Sequence, residues 1–544
     1  MRWQGSREAL EEDFRSAGWW RDETLAAWLE RNAAARGSDA ALIDGTGTTS
    51  YADLGTRVRK LASGLHHAGI RRGDVVAVQL PNIAEFIVAW LALCARGAVM
   101  QTVHMPYGPR ETAGLLAHSG AVAAILCGRA KDRSPAAEIA AMRGALPALR
   151  QVFAVGAAAA GAVPLDDVIT RGAAHPAPPA DTQATDSFLH LYTSGTTASP
   201  KGVAVTYNHF LSNARMCAEL LGITANDRML CVAPFTHLYG LYGFELGLSA
   251  GASTCLLPMF TPPDLAQALG RMKPTVLLAG PAHIAACLQQ GLFMGLDLSS
   301  LRIAIVSGST VPPALSAAFE ELLPNGRVLQ AWGMTELQFG ACSRRGDSRE
   351  IRFGGIGRAT PGAELRIAEA AGAAGAAMPH GTEGELQVRG CSVFSGYVRN
   401  PEATRASFTA DGWFRTGDLG VMDAAGNVRL TGRLKELINR GAIKINPVDV
   451  EVAIAAHPAV AQVAIAPMPD AVLGERACCF ILPRDGQALD LDALREYLGA
   501  QGIAKLLWPE RLELVAEMPM TPTRKIQKAE LVRRLLAAHP EIGR

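Results

Sequence analysis

The stretch Tyr192–Gly202, YTSGTTASPKG, decides how this chain is read. It packs three threonines, two serines, two glycines and one lysine into eleven residues. Small hydroxyls and glycine amides around one cation suit a phosphate cradle. The order differs from the Walker loop, which needs Gly-Lys-Ser/Thr in succession. Here Pro200 precedes Lys201 and Gly202 follows it. Taken alone, the stretch reads equally well as a Ser/Thr/Gly surface loop. The choice depends on whether the rest of the chain supplies a nucleotide's other needs.

The chain around it is long enough to supply them. Its 544 residues exceed one ordinary core, so two or more domains are expected. Hydrophobic residues make up 49% and charged residues 19%, a globular balance. A net charge of +1 gives no footing for nucleic-acid binding. The ten cysteines show no C-x-x-C pair, which argues against a zinc site or a disulfide framework. The N-terminus, MRWQGSREALEEDF, is charged where a signal peptide needs an apolar run. The apolar stretch FIVAWLALCARGAVM is interrupted by Arg96 and too short to span a bilayer. A soluble, cytoplasmic protein without an integral membrane segment is expected.

Helical periodicity alternates with short β-branched runs. Residues 24–36 read as an amphipathic helix, and Ser50 caps another that stops at Gly69. GDVVAVQL, AVAAILC, TVLLAG and LRIAIVSGS read as strands. The alternation predicts an α/β fold, with a large multi-layer N-terminal domain built on parallel sheets. The Ala/Gly/Pro-rich residues 154–184 read as a surface connection, and EAAGAAGAAMPHG as a loop. After Arg433 the texture changes to a smaller pattern. We therefore expect residues 1–434 as the nucleotide- and acyl-binding domain, and 435–544 as a small, mobile α+β domain.

Four further stretches carry chemistry. In AWGMTE (Ala331–Glu336), Trp332 can stack on a base and Thr335 can donate to a phosphate. Glu336 can hold Mg²⁺, which takes one or two carboxylates plus substrate phosphates. In RTGD, Asp418 sits in a turn and can accept both ribose hydroxyls. GRLKELINRGAIKINPVDVE holds four cations among apolar residues, and MPMTPTRKIQKAEL places Lys525 just before a helix. Each alone has a bland reading, respectively a buried Trp beside a surface Thr-Glu pair, an ordinary turn and solvated lysines.

Together, in this order, they resemble the adenylate-forming superfamily of acyl-CoA synthetases, carrier-protein adenylation domains and luciferases. The resemblance runs from SYADL to TRKIQKAEL. It implies that Thr193, Ser194, Gly195, Thr196, Thr197 and Lys201 grip pyrophosphate. It implies that Gly308, Ser309 and Thr310 line the adenine and acyl sites, with Trp332, Gly333 and Met334 beside the nucleotide. By the same resemblance, Thr335 contacts the α-phosphate, and Glu336 with Thr193 holds Mg²⁺. Asp418 and Arg433 bind the ribose, Lys435 is the hinge, and Lys525 bridges carboxylate and α-phosphate. Three positions depart from the family's glycines, namely Ala198, Ala442 and Arg524. Where φ > 0 is required, each such replacement costs roughly 1 kcal/mol.

The segment APFTHLYGLYGFELG matches the one that shapes the acyl pocket, placing His237 near the carboxylate. His237, Leu238, Tyr239, Gly308, Gly333, Leu337 and Gln338 are the expected substrate residues. Leu238 stands where enzymes for 2-hydroxybenzoates carry asparagine, so an apolar, alicyclic or aromatic acid is expected. The chain looks most like free-standing ligases of the cyclohexanecarboxylate or medium-chain type. The implied substrates and cofactors are a small carboxylic acid, ATP, Mg²⁺, and coenzyme A or a carrier protein's phosphopantetheine. A monomer or homodimer that binds no nucleic acid is expected. The rivals are an acid:carrier-protein ligase and a nucleotide-binding protein without turnover. Thr335, Glu336, Asp418, Arg433 and Lys525 argue against the second. A serine hydrolase is disfavoured, because the G-x-S-x-G match GLSAG at Gly247–Gly251 falls at the end of the segment matched to the acyl pocket.

Overall fold

A computed structural model describes residues 7–192, 201–369, 376–440, 443–487, 489–521 and 524–542. The chain divides into two compact units, Met1–Glu364 with Val388–Phe414, and Leu365–Gln387 with Arg415–Arg544. The second unit thus holds residues on both sides of Lys435.

The first unit is built on two large sheets of nine and eight strands. Parallel pairing joins Arg327–Met334, Ile303–Val306, Val276–Ala279, Arg228–Cys231 and Ser253–Cys255 in one. Ser187–Tyr192, Val99–Thr102, Val75–Gln79, Ala123–Cys127 and Gln151–Val155 run parallel in the other. Strands such as IAIV at Ile303–Val306 are buried at every position. Continuous apolar runs of this kind belong to parallel sheets covered on both faces. The helix Ala84–Ala95 is apolar all round, and its residues from Phe86 to Cys94 are all buried. It is a core helix, ended by Arg96, whose guanidinium donates to the Pro178 carbonyl at 2.7 Å. Among the described residues, no helix is long and apolar enough to cross a membrane.

The expected helices are present. Thr24 caps Leu25–Ala35, and Ser50 caps Tyr51–His67 by accepting from the Asp53 amide. One expectation needs correction. Residues 154–184 do not form only a surface connection, because Leu165–Ala174 is a helix laid against Tyr51–His67. A Cβ on Gly64 would lie 2.0 Å from the Val168 carbonyl oxygen, and one on Gly172 1.9 Å from that of Lys60. The small residues that read as linker composition let two helix backbones meet closely. The Ala/Gly run at 370–375 lies outside the described residues.

The second unit carries most of a four-stranded sheet, in the order Ala363–Ala368, Gly384–Gly390, Phe414–Met422, Val428–Arg433. It also carries a five-stranded sheet centred on Gly474–Pro483. Apolar clusters cover both faces of that sheet, Ile465, Cys479 and Ile481 on one and Ala464, Cys478 and Phe480 on the other. The adjacent Cys478 and Cys479 therefore point to opposite faces. All ten cysteines are free and buried.

Candidate active site

The loop residues Thr193, Ser194, Gly195, Thr196, Thr197 and Ala198 lie outside the described residues, but their anchors do not. Ser187–Tyr192 and Gly202–Thr206 pair antiparallel, with Tyr192 opposite Gly202. The Tyr192 hydroxyl lies 2.9 Å from Nδ1 of His118. Burial pushes its phenol up to about 12.

Lys201 leads into the second strand. Its ammonium stands 5.1 Å from the ring centroid of Tyr397, a cation–π distance. Tyr397 lies on the two-residue strand Gly396–Tyr397, which pairs with Gly202–Thr206. Its hydroxyl donates to Glu336 Oε1 at 2.9 Å. Burial and the Glu336 carboxylate both raise the Tyr397 phenol far above its usual range, so it remains a donor. The Phe394 amide donates to the Glu336 carbonyl at 2.7 Å. Main-chain pairing thus connects Lys201, Tyr397 and Glu336. Sequence analysis missed Tyr397, and its strand is too short to leave a periodic signal.

Glu336 sits at the end of a hairpin between Arg327–Met334 and Gln338–Cys342. A Cβ on Gly333 would fall 1.8 Å from the Gln338 carbonyl oxygen, so this crossing admits only glycine. Trp332 is buried against Gly340, Met334 and Thr335 are half-buried, and Leu337 is fully buried. Gly308, at φ +100°, with Ser309 and Thr310, is exposed just beyond the parallel strand Ile303–Val306. Its neighbour Arg327–Met334 leads into Thr335–Glu336, and two strands away on the other side Arg228–Cys231 leads towards His237. These groups share the carboxyl edge of a parallel sheet, where ligands bind in open α/β folds.

His237 caps the helix Leu238–Ala250, its Nδ1 accepting from the Tyr239 amide at 3.1 Å. In the neutral ring, that contact leaves the proton on Nε2. His104, which sequence analysis also missed, stacks at 6.4 Å on the His237 ring. It shares a 2.9 Å hydrogen bond with the Thr236 hydroxyl. Burial pushes His104 down to about 4, so it is neutral at ordinary pH. Leu238 and Tyr239 are buried, and the Tyr239 hydroxyl donates to the Ile305 carbonyl at 2.9 Å.

In the second unit, Asp418 and Arg433 face each other across paired strands, 3.0 Å apart. Asp418 is buried, and its amide donates to the Thr416 hydroxyl at 3.0 Å. Lys435 is exposed in a single 3-10 turn, Leu434–Glu436. Lys525 lies at the mouth of a narrow turn, where its amide donates to Thr521 Oγ1 at 3.0 Å. Desolvation first, then the Arg433 charge, pushes its ammonium down to about 8, while Asp418 and Glu436 oppose the shift. Lys528 is tied instead to Glu436 at 2.9 Å and Glu451 at 2.8 Å. Arg524 stands at φ +60°, in the left-handed region where the family's glycine was expected. Ala442 lies outside the described residues.

Among the described residues, no cluster of three or more His, Cys, Asp or Glu stands ready to hold a metal alone. The Glu336 carboxylate still fits Mg²⁺ as a hard oxygen donor that shares the ion with phosphate oxygens.

The AMP-binding enzyme family matches residues 29–398, and the AMP-binding enzyme C-terminal domain matches 449–525. The putative acyl-CoA synthetase YngI of Bacillus subtilis is 33% identical over 505 residues, covering 89% of this chain and 91% of that protein. The medium-chain fatty-acid–CoA ligase of Escherichia coli is 30% identical, covering 96% and 93%. The crystal structure of the anthranilate CoA ligase AuaEII with anthranoyl-AMP superposes with a TM-score of 0.85 at 26% identity, covering 95% of this chain and 98% of that one. The chain belongs to the AMP-binding enzymes of the adenylate-forming superfamily and is an AMP-forming acid–thiol ligase.

Proposed function

We propose that the chain joins a largely apolar carboxylic acid to coenzyme A through an acyl-adenylate. The observation that carries this reading is Lys525, a half-buried ammonium held beside Asp418 and Arg433 in the second unit. In the first step, a carboxylate oxygen attacks the α-phosphorus of ATP and the bond to pyrophosphate breaks. In the second, a thiolate attacks the acyl carbonyl and AMP leaves. Both reactants of the first step are anions, so cations must offset their repulsion. At ~4 Å and an effective dielectric of ~20, one ammonium is worth roughly 4 kcal/mol against a unit negative charge. If two-thirds of that is felt only in the transition state, it gives about a hundredfold in rate.

The proposed roles follow the residue types. Lys525 steadies the carboxylate and α-phosphate. Lys201 and the loop from Thr193 to Thr197 hold the β- and γ-phosphates. Thr335 donates to the α-phosphate, Asp418 accepts from the ribose hydroxyls, and Arg433 fixes Asp418. Glu336, oriented by Tyr397, and Thr193 hold Mg²⁺, which neutralises phosphate charge when bound. His237, Leu238, Tyr239, Leu337 and Gln338 surround the acid. Gly308, Ser309, Thr310, Trp332, Gly333 and Met334 surround the adenine. Lys435 is the hinge, so residues 435–544 turn as a body and let one site serve both steps.

The test is pyrophosphate exchange across a panel of carboxylic acids, followed by thioester formation with coenzyme A or with phosphopantetheinylated carrier protein. Acid-dependent exchange and transfer to free coenzyme A are expected. Transfer to carrier protein alone would move the acceptor assignment. ATP binding without exchange for any acid would overturn the ligase reading.

A further inference from the structure

The helix that begins at His237 carries a second, unassigned polar feature. Leu238, Leu241, Tyr242 and Glu245 recur at three- and four-residue spacing, so they share one helix face. Glu245 lies seven residues beyond Leu238, about 10 Å further along the axis. It is completely buried, as is Gln338 at 1% exposure. The Gln338 amide donates to Glu245 Oε2 at 2.6 Å. The other two oxygens, Glu245 Oε1 and Gln338 Oε1, have no hydrogen-bond partner. Neighbouring polar groups are engaged elsewhere. The Tyr242 hydroxyl donates to Asn213, and Asn213 donates to the Phe339 carbonyl, both at 2.8 Å. Two buried oxygens without partners, on side chains that hydrogen-bond each other, call for an explanation. Gln338 also holds a left-handed backbone, φ +61°, a strain that a non-glycine residue keeps only where its surroundings enforce it. Burial raises the Glu245 carboxyl to about 8, so it is neutral at pH 7 and can both accept and donate.

We propose that Glu245 and Gln338 form the far end of the acyl site and select an acid whose end remote from the carboxylate bears an O–H or N–H donor. The apolar side chains nearer His237 hold the body of the acid, and the two free oxygens receive its tip. Most small-molecule sites combine apolar walls with a few placed polar groups in this way. This inference rests on the ligase reading above. It revises the expectation of a wholly apolar substrate, because the polar pair is contributed by residues 93 apart in sequence.

The test uses the full-length chain and two acid skeletons, 3-phenylpropanoate and octanoate, each bare, with a terminal hydroxyl and with a terminal amino group. The readout is kcat/KM for pyrophosphate exchange. The unmodified protein should prefer a donor-bearing acid of at least one skeleton by about a hundredfold or more, since sites built to hydrogen-bond a group reject analogues lacking it. The hydroxyl and amino arms show which donor the pair takes. Glu245→Leu should reverse the preference, and Glu245→Gln should retain part of it. Exchange with bare acids as good as with their donor-bearing partners overturns this proposal and leaves the ligase reading intact. No exchange with any of the six acids also overturns this proposal, while the ligase reading is decided by the wider acid panel. The comparison within the unmodified protein stands even if a variant does not fold.

Discussion

Two groups of charges lie in the two compact units, and they are held in different ways. In the first unit, Glu336, Tyr397 and Lys201 are fixed by strand pairing and a glycine-only crossing at Gly333. Their side chains follow from the backbone. In the second unit, Lys525 hangs on a narrow turn beside Asp418 and Arg433, and its charge depends on a balance of desolvation, Arg433, Asp418 and Glu436. The first arrangement suits a fixed platform for phosphate and cation. The second suits a group whose charge counts in one step and must be withdrawn for the next. The contrast predicts that damage to the first group is independent of pH, while the second responds to pH on its own.

The largest effect should come from the fixed group. Glu336→Ala removes the carboxylate proposed for Mg²⁺, and pyrophosphate exchange should fall on the order of a thousandfold, similarly at pH 6.5 and 8.5. A strongly pH-dependent loss would show that the two groups are not separate.

The second group is tested by pH alone. Lys525 loses its proton at about 8, against 10.5 for an ordinary lysine. Adenylation should be maximal below that value and decline roughly tenfold per unit above it, where the charge is required. Lys525→Arg, which stays charged, should lack the decline. The stability trend has the opposite sign. Between about 8 and 10.5 the unfolded chain binds the proton that the folded chain has lost, so this group makes stability rise with pH. A rate decline there is therefore not unfolding caused by Lys525. A flat profile for the unmodified chain would break the comparison.

Tyr397→Phe sharpens the first half of it. The substitution keeps the ring beneath Lys201 and removes the donor to Glu336. A hydrogen bond to a charged group contributes about 1.5–3 kcal/mol, so with that donor lost exchange should drop roughly tenfold and require more Mg²⁺. Unchanged Mg²⁺ dependence would detach Tyr397 from the cation site.

The resemblance was legible because it rests on short stretches whose chemistry is contiguous in sequence, such as 192–202, 331–336 and 415–418. What sequence did not show joins residues far apart. Tyr397 meets Glu336 across 61 residues, His104 lies by Thr236 across 132, and Glu245 meets Gln338 across 93. No local period records such pairs. The helix Leu165–Ala174 was misread for another reason, since its small residues look like linker composition until a second helix is seen against them. Arg524 is the converse case. The family comparison raised the prospect of a left-handed backbone there, and φ is +60°. Arg524→Gly should therefore stabilise the chain by roughly 1 kcal/mol in thermal or denaturant unfolding, the smallest of the expected effects. Destabilisation would mean that the arginine side chain outweighs its backbone strain.

The central claim is that Lys525 supplies charge to the first half-reaction and little to the second. Its most direct test is Lys525→Ala assayed in both halves, as pyrophosphate exchange with the best acid and as thioester formation from preformed acyl-adenylate and coenzyme A. The account predicts a loss of at least about a hundredfold in exchange, with thioester formation within about tenfold of the unmodified protein. Equal losses in both halves, or no loss in exchange, would contradict it.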